Sequence, residues 1–188
     1  QFIFAPNITP IVLCPPARHP VLWYLFFEYS VTRALRKYNI DIFLSPDGWI
    51  SRRTDVPTLT VIHDLNFEHA TDYLRPSHQR YMTRFFPQFA HKATRVATVS
   101  EFSKTDLVNT YHIAAEKIDV VYDGAHTNYT PLSREECAHA LNKFAVKDDY
   151  FLFVSTILKR KNLTNTLLAF DDFKETDSKG IKLVVVGA

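Results

Sequence analysis

Arg95-Val-Ala-Thr-Val-Ser-Glu-Phe-Ser-Lys-Thr-Asp-Leu-Val-Asn-Thr-Tyr-His-Ile-Ala-Ala-Glu-Lys-Ile-Asp-Val-Val-Tyr122 reads as strand, helix and strand in succession. Its first segment is β-branched and apolar up to Val99, then breaks at Ser100 into residues 101–111 of helical spacing, and 118–122 returns to β-branched composition. The same alternation extends both ways. Strands are expected at 8–14, 40–44, 58–62, 95–99, 118–122, 150–154 and 181–186, and helices at 20–38, 76–92, 101–111, 133–144 and 162–176. In the second helix Tyr81, Phe85 and Phe89 recur every four residues behind Pro76 at the first position. In the last, Asn162 precedes Leu163, Leu167, Phe170 and Phe173 as a cap. Near-continuous apolar strands alternating with helices predict an α/β fold, a doubly wound parallel sheet covered on both faces.

Composition narrows the chemistry. The chain has 188 residues, a formal net charge of +2 and only four glycines, where average usage of about 7% predicts roughly 13. Gly48, Gly124, Gly180 and Gly187 are scattered, which excludes a P-loop and a G-x-G-x-x-G dinucleotide fingerprint. The longest apolar run, 21–27, is far short of the ~20 residues that cross a bilayer. No signal-peptide pattern opens the sequence, and Cys14 and Cys137 make neither a disulfide framework nor a metal site, so a cytoplasmic setting is expected. The strand and helix patterns lapse between Asp123 and Leu132, which marks a domain boundary. The stretch after it supplies only about two strands, fewer than a complete sheet of this kind needs, and suggests a piece of a longer protein.

Three stretches can carry chemistry. Ser155-Thr-Ile-Leu-Lys-Arg-Lys-Asn162 joins a strand to a helix, where open α/β sheets hold their ligands. Three consecutive cations ahead of a helix N-terminus oppose its dipole by something like 0.3–1 kcal/mol each, so the loop is either an anion site or a solvated turn. Thr58-Leu-Thr-Val-Ile-His-Asp64 puts His63 at the same kind of strand end, as a catalyst or as a hydrogen-bonded strand terminus. Asp64 is its neighbour and points to the opposite side in an extended chain, so it does not orient His63 directly. Residues 75–95 hold five Lys or Arg and no carboxylate, with Tyr81, Phe85, Phe86 and Phe89 beside Arg80 and Arg84. Such a helix either lies on an anionic membrane or packs its rings on the sheet and leaves its cations in water. After the 95–99 strand, helix capping by Ser100 or Ser103 explains both serines. No D-x-D and no metal-ligand spacing of histidines is present.

Taken in order, six stretches resemble the retaining glycosyltransferases of family 4, the glycosyl transferases group 1 of the GT-B fold. They are Asp41-Ile-Phe-Leu-Ser-Pro-Asp47, Thr60-Val-Ile-His-Asp-Leu65, Val99-Ser-Glu-Phe-Ser-Lys-Thr-Asp-Leu107, Lys117-Ile-Asp-Val-Val-Tyr-Asp-Gly124, Phe153-Val-Ser-Thr-Ile-Leu-Lys-Arg-Lys-Asn-Leu163 and Leu183-Val-Val-Val-Gly187. The resemblance implies two Rossmann-like domains facing a cleft, both incomplete here. Residues 1–123 resemble the second part of the N-terminal acceptor-side domain. Residues 124–188 resemble the linker and first β-α-β of the C-terminal nucleotide-sugar domain. The family's glycine-rich loop and E-x7-E region fall outside the stretch, so this piece is expected to be inactive alone.

By the same resemblance, Lys161 and Arg160 match the cations on the donor diphosphate, and Thr156 falls where members carry arginine or threonine. His63 matches the histidine near the reacting sugar. The implied reaction moves a sugar from a nucleotide-diphosphate donor to a glycan or lipid-linked acceptor with retention, using no cofactor and no metal. Implied partners are that donor and acceptor, with no nucleic acid; peripheral contact with the inner face of an anionic membrane rests on the 75–95 helix alone, as the alternative to its packing on the sheet. Ser155 replaces a usual glycine, and Tyr122-Asp-Gly-Ala-His126 replaces a P-N-G-V-D type stretch. The alternative is a non-catalytic module of the same fold that binds a nucleotide sugar or scaffolds a partner.

Overall fold

The computed structural model describes residues 5–70, 74–127, 129–144 and 149–187. The chain divides into two compact units, Gln1–Gly124 and Ala125–Ala188. In the first, β1 (Phe43–Ser45), β2 (Thr58–Val61), β3 (Arg95–Thr98) and β4 (Ile118–Val120) form a parallel sheet in sequential order. Its helices are α1 (Pro20–Leu25), α2 (Thr32–Lys37), α3 (Asn66–His69), α4 (Pro76–Lys92) and α5 (Glu101–Tyr111). Ser100 caps α5, accepting the Ser103 N–H at 3.1 Å, as its sequence position suggests.

The core lies on one face of this sheet. Val96, Thr98 and Ile118 point into it and meet Phe86, Phe89 and Ala90 of α4 and Leu107 and Tyr111 of α5. On the opposite face Arg95 bridges to Asp119, while Leu44 and Val121 stay more than half exposed. The α/β, parallel-sheet expectation holds, and among the described residues the core contacts of this partial sheet are gathered on one face. The reason is topological. Right-handed crossovers that step through a sheet in one direction put every connecting helix on the same side, and the second layer requires a reversal of strand order.

Two further expectations change. Residues 8–14 form no strand: Pro10 has no N–H for a ladder, and the segment lies along α2 instead, with the Cys14 carbonyl accepting from the Ser30 hydroxyl. The helix expected over 20–38 is interrupted by a π-helical stretch, Phe26–Val31, between α1 and α2. There the Thr32 hydroxyl bonds back to the Glu28 carbonyl at 3.0 Å, and the buried Glu28 carboxylate takes the Arg52 Nε–H at 2.6 Å.

The second unit holds α6 (Arg134–Lys143), β5 (Tyr150–Val154), α7 (Leu163–Lys174) and β6 (Lys182–Val186). β5 and β6 pair in parallel, Tyr150 opposite Lys182 and Val154 opposite Val186. A reciprocal Ser133–Glu136 capping box starts α6. Phe170 and Phe173 of α7 pack edge-on to Phe151.

Candidate functional site

His63 follows β2 at the carboxyl end of the sheet, with its side chain exposed. Its backbone position is anchored from β3, where the Thr98 hydroxyl donates to the Ile62 carbonyl at 2.7 Å and the Ile62 N–H donates to Ala97 at 2.9 Å. Its ring is anchored from the other side: Nε2 lies 3.0 Å from the Pro46 carbonyl. A carbonyl only accepts, so in the neutral ring Nε2 carries the proton and Nδ1 presents a lone pair. Asp64 does not touch this arrangement. Its carboxylate takes the Asn66 N–H at 3.0 Å and the Asn66 side-chain amide at 2.6 Å, in line with the reading that it does not orient His63.

The turn that supplies the Pro46 carbonyl is itself fixed. The Ser45 hydroxyl donates to the Trp49 carbonyl at 2.6 Å, and Gly48 sits at φ +81°, where a Cβ would come within 2.7 Å of the Phe86 ring. Sequence reasoning did not single out this support. The Asp47-Gly48 dipeptide directly after a strand is the signal that could have revealed it.

Thr156, Arg160 and Lys161 share one connection in the second unit, from β5 to α7. All three are exposed. Lys159–Lys161 form a 3-10 turn closed by the Lys161 N–H on the Leu158 carbonyl and the Asn162 N–H on Lys159. Asn162 does precede α7, but it is not the side-chain cap expected: its φ is +57° and its side chain makes no capping bond. That left-handed conformation is one Asn and Gly adopt at little cost, and it turns the chain sharply from the cationic turn into the helix. The N-terminal N–H groups of α7 therefore lack a side-chain acceptor from Asn162 and stand beside three cations.

Gly187, after β6, is the unforeseen support of this loop. A Cβ there would fall 1.9 Å from the Ser155 carbonyl oxygen, and the Ser155 N–H already donates to Val186 at 3.0 Å. The strand pair thus holds the loop's first residue by backbone contact that any side chain would disrupt.

The basic helix α4 spends its aromatic side internally. Tyr81, Phe86 and Phe89 are buried in the core and Phe85 packs against it, leaving Arg80 and Arg84 on the solvent side. Of the two readings of 75–95, the contacts therefore favour rings packed on the sheet. Among the described residues no helix is long and apolar enough to cross a membrane, and no group of three or more His, Cys, Asp or Glu is placed to hold a metal.

The chain is 27% identical over 138 residues to O-antigen chain mannosyltransferase B of Escherichia coli, covering 73% of this chain and 36% of that protein. It is 22% identical over 185 residues to O-antigen chain mannosyltransferase RfbU of Salmonella typhimurium (strain LT2), covering 98% of this chain and 47% of that protein. The chain therefore spans less than half the length of these curated relatives. A glycosyltransferase from Rickettsia africae shares its fold with a TM-score of 0.52 at 18% identity, over 95% of this chain and 55% of that one. This likeness and the parallel sheets agree with a partial Rossmann-like GT-B architecture. The model of Glycosyltransferase Family 4 matches residues 4–129, which include His63 and its whole supporting sheet. The chain belongs to Glycosyltransferase Family 4.

Proposed function

We propose that this chain is part of a retaining glycosyltransferase that moves a hexose, mannose by analogy with its relatives, from a nucleotide-diphosphate donor to a glycan or lipid-linked acceptor. The observation that carries the reading is the Lys159–Lys161 turn set at the carboxyl end of a parallel strand and directly ahead of α7. Breaking the sugar–phosphate bond develops charge on the leaving diphosphate. Cations fixed there favour the transition state over the ground state. A cation about 4 Å from one phosphate charge is worth about 4 kcal/mol at an effective dielectric of about 20. Lys161 and Arg160 fill this role without a metal, with Thr156 as a further hydrogen-bonding group on the donor.

His63 serves as a polar contact. With Nε2–H committed to Pro46, its Nδ1 accepts a hydroxyl of the transferring sugar. No enzymic base is needed under retention by front-face transfer, because the leaving phosphate oxygen takes the acceptor's proton. The reaction runs on the cytoplasmic side, and the exposed Arg80 and Arg84 add electrostatic attraction to an anionic surface without an apolar anchor from α4.

The test is Lys161→Ala in the full-length protein, assayed for sugar transfer from nucleotide-diphosphate mannose. The expected loss is ~2–4 kcal/mol of transition-state stabilisation, roughly 10²–10³ in rate. Unchanged turnover would remove Lys161 from the mechanism. Donor binding with no transfer in the parent protein would instead establish the non-catalytic module, a reading that Ser155 in the place of a family glycine favours.

A further inference from the structure

Between the π-helical stretch and the β1–β2 connection lies an open hollow of about 550 Å³, and its residues are none of those assigned to donor or sugar contact. Arg33 and Arg36 line it from α2 and Arg53 from the connection. Among the described residues, neither the Arg33 nor the Arg36 guanidinium has a hydrogen-bond or ion-pair partner, and both side chains are exposed. Arg53 is held over the Tyr29 ring, 4.5 Å from its centroid, which limits the directions its guanidinium can take.

Glu28 also lines the hollow, and it is only 2% exposed. One carboxylate oxygen, Oε1, takes the Arg52 Nε–H at 2.6 Å. The other, Oε2, is buried without a hydrogen-bond partner, with Arg53 Nε 3.8 Å away. A buried carboxylate oxygen left without a donor is costly, and such orphans call for an explanation. Glu28 is buried within the π-helical stretch, and π-bulges concentrate at functional positions.

These two observations ask for one kind of ligand. Three guanidiniums attract a multivalent anion, and phosphate fits their fork geometry. The orphaned Oε2 requires a hydroxyl or amine donor, and an isolated phosphate dianion has none. We propose that this hollow binds a sugar phosphate or a phosphodiester headgroup bearing free hydroxyls, with its phosphate on Arg33, Arg36 and Arg53 and a hydroxyl donating to Glu28 Oε2. The site is independent of the donor-site reading, because it uses neither Lys161 nor His63.

Isothermal titration of the chain with mannose 1-phosphate, inorganic phosphate and free mannose tests the assignment. Mannose 1-phosphate should bind at least tenfold more tightly than inorganic phosphate, and free mannose should not bind. The double variant Arg33→Ala/Arg36→Ala changes only exposed side chains, so it keeps the fold, and should weaken mannose 1-phosphate at least tenfold. Glu28→Gln should erase the preference for the sugar phosphate over phosphate. Since Glu28 also anchors Arg52, the arginine double variant decides the matter should that protein not fold.

Sedimentation with phosphatidylglycerol vesicles separates the sources of the ligand. Vesicle binding displaced by mannose 1-phosphate identifies a lipid headgroup, and binding of the soluble ligand alone identifies a free sugar phosphate. Equal affinity for phosphate and mannose 1-phosphate, no binding of either, or unchanged binding in the double arginine variant would overturn the proposal.

Discussion

The two units follow the same alternation of parallel strand and helix, yet they bury their residues very differently. In the first, Phe89, Ile50, Val96 and Leu107 are fully enclosed, and a ring cluster from Trp49 through Phe86 to Phe89 fills the space under the sheet. In the second, no described residue of β5, α7 or β6 is buried, and Phe151, Leu152 and Val154 remain more than half exposed. Four strands with three crossovers, two of them helical, enclose a core, whereas two strands and one crossover leave each apolar face with a single neighbour. The lesson concerns the site. His63 is presented by a closed scaffold, while the cationic turn is tied by backbone bonds within itself and, through Ser155, to β6.

Cavity-forming substitutions should break or confirm this contrast most sharply. Phe89→Ala is expected to cost roughly 3–5 kcal/mol in urea unfolding followed by circular dichroism, since a fully buried ring is removed. Phe170→Ala, on a half-buried ring of α7, should cost less than half as much. Equal losses would mean that the second unit encloses its rings as well as the first.

Alkaline titration sharpens the contrast from the side of the first unit. Burial, with the Glu28 charge second, pushes the Tyr81 phenol up to about 12, and burial plus the hydrogen bond to Glu68 also raises Tyr111. A phenol whose folded pKa is raised contributes stability below its unfolded pKa near 10, and that stability is lost as pH climbs toward the folded value. Both tryptophans, Trp23 and Trp49, lie in the first unit. Their fluorescence should report constant stability up to about pH 10 and a decline from there to about pH 12. Tyr81→Phe should make that decline shallower; an unchanged slope would show that the buried Tyr81 phenol does not drive it.

The smallest effect concerns Thr60, whose hydroxyl is fully buried in β2 without a hydrogen-bond partner. Replacing it by Val removes an unpaired polar group and fills the same space, so Thr60→Val should raise stability by about 1 kcal/mol. A loss of stability would reveal a partner for that hydroxyl.

Much of this was legible in the chain. Residues 58–61 and 95–98 are strands because β-branched runs bounded by polar residues suit a pleated, enclosed position, and Ser100 caps α5 as its place predicts. His63 and the Lys159–Lys161 turn stand at strand ends for the same reason. Residues 8–14 show the limit of such reading. Their composition is that of a strand, but a strand exists only where a neighbour accepts its hydrogen bonds, and here the neighbour is a helix. Asn162 shows another limit, since a helix-capping residue and a left-handed hinge look alike in sequence.

The sequence by itself determined the order of strands and helices, the parallel character of the sheets and the place of the cations, because these follow from local periodicity and from the residues at strand ends. Only the tertiary structure decided which sheet face carries the core, that Pro46 fixes the His63 tautomer, that Gly187 must lie against Ser155, and that the buried Glu28 meets Arg52. Each of those depends on residues far apart in the chain meeting at contact distance. No local pattern encodes such meetings, because the contact energy is realised only when both partners are folded.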